Sequence, residues 1–248
     1  MEVLLLLILI RRRVLIESAC FVCFFACMAA ILTAGHLRRT AVFAARPTPD
    51  AVVVIDAGHG GEDGGAVSPD GIAESGLNLA VAERTRDLLR LFGQRTVMTR
   101  EADVSLSDPG LDTVRKRKAS DIRNRVAIVE RTENAVLLSI HQNSLPSSPV
   151  THGAQVFWNR QAGGEELARL IQSSLNGAVN TGNEKQAREI PSSIYLMGHI
   201  TAPAALVECG FLSNAGETAR LQEPGYQQML AAAITAGYLR FAAGEELP

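Results

Sequence analysis

Beyond its first 50 residues this chain has a single cysteine, Cys209, because the other three, Cys20, Cys23 and Cys27, fall in one apolar N-terminal run. A disulfide framework needs paired cysteines, so none can staple the folded part. The 20/23/27 spacing would suit a metal or lipid site on a helix, yet in an apolar run cysteine reads as a small hydrophobe. Charge of one sign is equally scarce. The formal net charge is −2, and no long Lys/Arg run follows the N-terminal flank, which excludes the electrostatic footprint of a nucleic-acid binder. What is present, 248 residues with 47% hydrophobic side chains, sustains one domain of about 200 residues with a real core plus an appendage, not two large domains.

The appendage is N-terminal. From Val14 to Gly35 the chain is a mainly apolar run with one charge, Glu17, long enough at about 1.5 Å per helical residue to cross a hydrocarbon core of about 30 Å. Arg11, Arg12 and Arg13 precede this run and His36, Arg38 and Arg39 follow it, a slight bias towards an N-in, C-out orientation. Small residues at Ala44 and Ala45 offer a signal-peptidase site, but arginines lie between it and an apolar core longer than a signal peptide needs. The expectation is therefore an uncleaved signal anchor over 1–39 that holds the protein on the extracytoplasmic side of a membrane, with a cleaved, secreted form as the alternative. Leu4 to Ile10 is apolar but too short to span. Residues 40–50, with two prolines and no helical period, read as a linker.

The remainder alternates in period. AVVVID (51–56) reads as a buried strand running into a glycine-rich loop. Leu77, Ala80, Val81, Leu88 and Leu89 then recur at helical spacing until Gly93. Strands follow at 94–99, 135–140, 153–158 and 204–209, and helices at 120–131, 164–179 and 226–241. The order predicts an α/β domain over 51–243, a mostly parallel twisted sheet flanked by helices.

In such sheets the loops after the carboxyl ends of strands converge on a ligand crevice. Three of them carry chemistry: Asp56-Ala57-Gly58-His59, Ser139-Ile140-His141-Gln142-Asn143 and Val207-Glu208-Cys209-Gly210. Two imidazoles and a carboxylate form a catalytic zinc set with an open fourth position. His59 and His141 are the imidazoles; Glu62, Asp63 and Glu74 all compete to be the carboxylate, and spacing does not choose among them. A second acid outside the metal's ligands must move a proton to the departing amine. Glu208, at the end of an apolar strand, suits that role because burial raises a carboxylate's pKa. Strand alternation turns Cys209 away from Glu208 and into the core.

The run VVVIDAGHGGEDGGAVSPDGIAESGLNL, then SIHQNS, then PAALVECGFLSN resembles the zinc-dependent N-acetylmuramoyl-L-alanine amidases of bacteria over about 51–241. The resemblance implies that His59, Glu74 and His141 bind Zn2+, that Glu208 is catalytic, and that the substrate is peptidoglycan, cut between N-acetylmuramic acid and L-alanine. Residues 99–125 resemble the spore-cortex branch of that family, whose members prepare muramic δ-lactam beside a polysaccharide deacetylase. Gln142 departs from the family pattern, which favours a smaller residue after the histidine. Two rival functions remain at this stage: a zinc peptidase acting on stem peptides, and a wall-binding module without catalysis. The basic run Arg115–Lys118 reads as a solvated face, and His152 and His199 read as surface or helix-end histidines.

Overall fold

The computed structural model describes residues 51–245. The expected membrane-spanning helix and the linker over 40–50 lie outside these residues. Among the described residues, no helix is long and apolar enough to cross a membrane.

Six strands form one sheet in the order β2-β1-β3-β6-β4-β5. They are β1 (Val52–Ala57), β2 (Arg95–Met98), β3 (Ala135–Asn143), β4 (Gln155–Trp158), β5 (Arg188–Glu189) and β6 (Ala204–Phe211). Six helices accompany them: α1 (Glu74–Leu91), α2 (Val114–Glu130), α3 (Gly164–Ala178), α4 (Tyr195–Gly198), α5 (Ala215–Leu221) and α6 (Pro224–Ala242). One face of the sheet buries Val53, Ile55, Leu138 and Val207 against Leu77 and Val81 of α1, Leu167 and Ile171 of α3, and Leu230 and Ile234 of α6. The other face buries Val54, Leu137 and Leu206 against Val129 of α2 and Leu196 and Met197 of α4. Two dry layers on opposite faces explain why β1 is buried at every position, since a strand covered on both sides shows no alternation.

The sheet is mostly parallel, as expected, and is made mixed by one antiparallel pair. β2, β1, β3 and β6 run parallel, but β4 is antiparallel to β6 and parallel only to β5. A parallel return needs a crossover of a dozen or more residues, usually helical. Residues 144–154 between β3 and β4 hold no helix, so the chain re-enters from the edge it left and runs backwards. The next connection does contain a helix, α3, and β5 accordingly lies parallel to β4. β3 and β6 also extend past their expected ends, so His141 joins Glu208 as a strand residue, the two directly paired across the ladder. α2 begins six residues before the expected Ser120, where the Thr113 side chain accepts a hydrogen bond from Lys116 N. Its opening turns are the basic run, whose lack of apolar residues hid the helix.

Close packing of α3 on α6 depends on Gly237, where an added Cβ would lie 2.4 Å from Ile171 Cα and 2.8 Å from Ile171 N. Backbone cannot move aside as a side chain can. Gly237→Ala is expected to destabilise the domain by about 1–3 kcal/mol through overpacking, read as a lowered denaturation midpoint. An unchanged midpoint would show that the two helices separate freely.

Candidate metal centre

The site grows from the end of β1. Asp56 is 1% exposed and fully engaged: Arg125 Nη1 and Thr99 Oγ1 donate to its Oδ1 at 2.6 and 2.8 Å, and Ser139 Oγ donates to Oδ2 at 2.7 Å. Arg125, buried in α2, also donates to the carbonyls of Ala57 at 2.8 Å and His59 at 2.7 Å, and pairs with Asp121 at 2.6 Å. A second buried arginine, Arg100, donates to the carbonyls of Ala57, Gly58 and Ser75. The carbonyls of Ala57, Gly58 and His59, where the chain turns out of β1, are thus taken by guanidinium groups. This clamp holds His59 at φ 61°, a left-handed conformation uncommon for a non-glycine residue.

The glycine-rich loop then meets the start of α1. Glu74 N and Ser75 N donate to the carbonyls of Ala66 and Gly64 at 2.9 and 3.1 Å, so the loop satisfies helix amides that have no intrahelical partner. Glu74 is thereby fixed as the first residue of α1, where the helix dipole favours a negative charge. Its Oε1 accepts from Asn78 Nδ2 at 3.0 Å and Gln142 N at 3.0 Å, and its Oε2 from Ala66 N at 2.8 Å. His141 Nδ1 lies 2.8 Å from Oε1, and His59 Nε2 lies 3.5 Å from Oε2.

His59, Glu74 and His141 each bring one donor atom within 4.8 Å of the others, an arrangement that could hold a metal ion. Space for it is created by glycine. A Cβ at Gly58 would fall 2.2 Å from the His141 ring, and one at Gly65 would fall 2.5 Å from Glu74 Oε2 and 2.7 Å from the His59 ring. Two nitrogens and a carboxylate oxygen suit zinc, which takes such sets with a fourth position free.

The other two acids of the loop are occupied elsewhere. Glu62 pairs with Arg117. Asp63 Oδ1 pairs with Lys118 at 2.8 Å, and its Oδ2 lies 2.9 Å from His59 Nδ1. Asp63 therefore orients the imidazole whose other nitrogen faces Glu74, the arrangement by which a carboxylate fixes a ligand's tautomer. The basic run faces solvent as expected, with Arg115, Lys116 and Lys118 exposed, yet Arg117 and Lys118 also hold the loop acids and Lys116 pairs with Asp112. The role of Asp63 was legible only as an acid near a histidine; that it supports rather than competes required the fold.

Glu208 stands beside His141 on β6, and its buried Oε2 has no hydrogen-bond partner among the described residues. Burial pushes its carboxyl up to about 7; the nearby His141 opposes this and the negative Glu74 adds to it. Burial would raise Glu74 too, but the hydrogen bond from His141 and the two imidazoles outweigh it and hold that carboxyl at about 2. The two glutamates are therefore separated by their surroundings, one kept as an anion and one able to exchange a proton near neutrality. Cys209 is buried on the opposite face, as expected. His152 and His199 are exposed, on backbone carbonyls of Val150 and Tyr195.

The family model described as N-acetylmuramoyl-L-alanine amidase matches residues 53–240. The chain belongs to that family. A germination-specific N-acetylmuramoyl-L-alanine amidase of Bacillus subtilis (strain 168) is 37% identical over 195 residues, covering 79% of this chain and 81% of its own. The CwlD amidase of Clostridioides difficile, solved in complex with the GerS lipoprotein, matches with a TM-score of 0.75 at 32% identity, over 78% of this chain and 99% of that one. The catalytic domain of CwlV from Bacillus (Paenibacillus) polymyxa var. colistinus matches with a TM-score of 0.64 at 30% identity, over 76% of this chain and 96% of that one. This amidase domain hydrolyses the amide between N-acetylmuramic acid and L-alanine in peptidoglycan. Neither rival reading, a stem-peptide peptidase or a wall-binding module, gains support from these matches.

Acid should loosen the clamp. Burial would raise Asp56, but Arg125, His141 and the Ser139 hydroxyl outweigh it and hold its pKa at about 2 against an ordinary 3.8. A carboxylate with a depressed folded-state pKa contributes stability that is present above about 3.8 and is lost as pH falls towards about 2. Denaturation midpoints of the parent should fall across that window. Asp56→Asn should cost roughly 3–5 kcal/mol at pH 7 by leaving Arg125 unpaired and should show a shallower fall, with Glu74 and Asp63 still titrating. Equal slopes in parent and variant would mean that Asp56 is not the group responsible.

Proposed function

We propose that this amidase is a zinc enzyme in which His59, Glu74 and His141 hold the metal and Glu208 moves the proton, and that it acts on spore cortex. The observation that carries the mechanism is the orphaned Glu208 Oε2 beside a convergent His-Glu-His set. A bound zinc ion would supply Lewis acidity, polarising the carbonyl oxygen and acidifying water. The protein's own residues do the rest. Glu74 and the two imidazoles, held by Asn78, Asp63 and the Arg125 clamp, keep the ligand geometry fixed. Glu208 takes a proton from the attacking water as its oxygen bonds to the lactyl carbonyl carbon. When the carbon–nitrogen bond breaks, Glu208 returns that proton to the alanine nitrogen.

Removing the peptide leaves the lactyl carboxyl free on the sugar. Closing that carboxyl onto the C2 nitrogen as a lactam requires a free amine there, so the pathway also needs an N-deacetylating enzyme as a functional partner. The B. subtilis relative's germination-specific designation supports this spore-cortex role. Digesting cortex peptidoglycan with the zinc-loaded protein and mapping the fragments by mass tests it: an amidase frees N-terminal L-alanine and leaves the lactyl group on the sugar. Cleavage inside the stem peptide would overturn it.

Two variants separate the roles. Glu208→Gln has nearly the same shape but cannot carry the proton, so zinc content and KM should hold while kcat falls roughly 10²–10⁴-fold. Glu74→Ala should lose zinc. Zinc retained by Glu74→Ala would move the carboxylate ligand to Glu62 or Asp63, and zinc lost by Glu208→Gln would make Glu208 a ligand.

Residues 1–39 are proposed as a signal anchor that leaves the catalytic domain on the extracytoplasmic face. The arginine count supports that orientation, three before the apolar run and two after it. The full chain should therefore sediment with membranes; a soluble product starting at Ala45 or Arg46 would make the segment a cleaved signal.

A further inference from the structure

The proton chemistry uses only one wall of the cleft. The cavity, about 350 Å³, holds His59, Glu74, His141 and Glu208 on its polar side and continues onto Ile122, Ile194, Tyr195, Leu196 and Leu206. Leu206 and Glu208 are two residues apart on one strand and share a face, so the apolar wall begins about 7 Å from the proton carrier. Within that distance of the scissile nitrogen the substrate carries the lactyl methyl, the alanine methyl and, beyond the ether oxygen, the edge of the sugar.

Tyr195 is the only aromatic side chain other than the two histidines in this lining. It is 41% exposed and follows Ile194 at 37%, while Leu196 and Met197 next to it are buried and anchor the short helix α4. The other described tyrosines, Tyr226 and Tyr238, are buried. Two adjacent exposed apolar residues at the mouth of a polar cleft mark a contact surface. The ring is also held in place. His199 stacks on it with centroids 3.6 Å apart and planes 14° from parallel, and His199 Nδ1 lies 2.8 Å from Tyr195 O. One face of the ring is thus covered and braced.

We propose that Tyr195 is the platform on which the muramic-acid sugar ring stacks, so that the glycan lies on the α4 side of the cleft while the lactyl carbonyl faces the His-Glu-His set. This rests on the amidase reading above and adds a substrate subsite to it. A pyranose presents a face of C–H bonds, which an aromatic ring attracts through its negative face, and a rigid ring loses little entropy on binding. Tyr195 orients the substrate and takes no part in the proton transfer.

The test uses the full zinc-loaded chain and two probes that carry one half of the substrate each: the peptide-free disaccharide GlcNAc-MurNAc, and the free stem tripeptide that begins with L-alanine. Tyr195→Ala should weaken disaccharide binding roughly 3–10-fold and leave tripeptide binding unchanged. With intact substrate, KM should rise by a similar factor while kcat stays within about twofold. Tyr195→Phe should behave as the parent, because the ring face and not the hydroxyl makes the contact. Weakened tripeptide binding with the disaccharide unaffected would place the peptide there instead, and loss in Tyr195→Phe equal to that in Tyr195→Ala would assign the contact to the hydroxyl; either overturns the platform. So does a parent that cleaves substrate yet does not bind the disaccharide. A parent that binds the disaccharide through Tyr195 but cleaves no amide would sink the amidase reading and leave the platform standing.

Discussion

The buried pairing of Arg125 with Asp56 is the contact on which the rest of the site depends. Taking both charges out of water is costly, and the pair is stable because every remaining valence is used: Thr99 and Ser139 on the carboxylate, Asp121 and two loop carbonyls on the guanidinium. Those two carbonyls belong to Ala57 and His59. A charge pair at the end of β1 therefore fixes the backbone of the first histidine, including its left-handed φ. Arg100 repeats the device on Ala57 and Gly58 from the β2 side. Both arginines act on backbone, which is why the loop needs no core of its own.

From that clamp follows the separation of two glutamates of opposite use. Glu74 sits at a helix start among donors and imidazoles, so its anion is favoured despite burial. Glu208 is buried on a strand with one oxygen unpaired, so its pKa is pushed up to about 7, where it can take or give a proton near neutrality. The same residue type is held as an anion in one place and near its titration point in the other, and the difference lies in the hydrogen bonds and imidazoles that reach Glu74 and not Glu208. Asn78 links the two halves: its amide donates to both Gly58 O and Glu74 Oε1, and Gln142 Nε2 holds its oxygen at 3.1 Å. Gln142, buried at the end of β3, thus braces the His59, Glu74 and His141 set through Asn78.

The α2 face shows what charge patterning alone leaves out. Arg117 and Lys118 sit in a run with no apolar residue, and runs of that kind usually face solvent. This run does so too, but Arg117 also reaches Glu62 and Lys118 reaches Asp63, residues distant in sequence, and through Asp63 Lys118 steadies His59. Nothing in a linear pattern distinguishes a basic residue with a partner from one without, because the partner is supplied by the packing of α2 beside the loop.

Much of this protein was determined by the sequence itself. The β-branched run before a glycine-rich loop, the helical period after it and the three loaded strand ends placed His59, His141 and Glu208 at one edge of an α/β sheet, because local period and strand alternation are short-range properties of a chain. Among the three loop acids the pattern left open, only the resemblance to the amidase family pointed to Glu74. Three things were decided only by tertiary structure. The direction of β4 depended on where the helix-free connection 144–154 brought the chain back. The standing of Glu62 and Asp63 depended on cations delivered from α2. The cleft wall at Ile122, Tyr195 and Leu206 combined residues from three elements that share no pattern. Each is a relation between distant segments, fixed by which surfaces pack and which charges they bring with them, and no local window contains it.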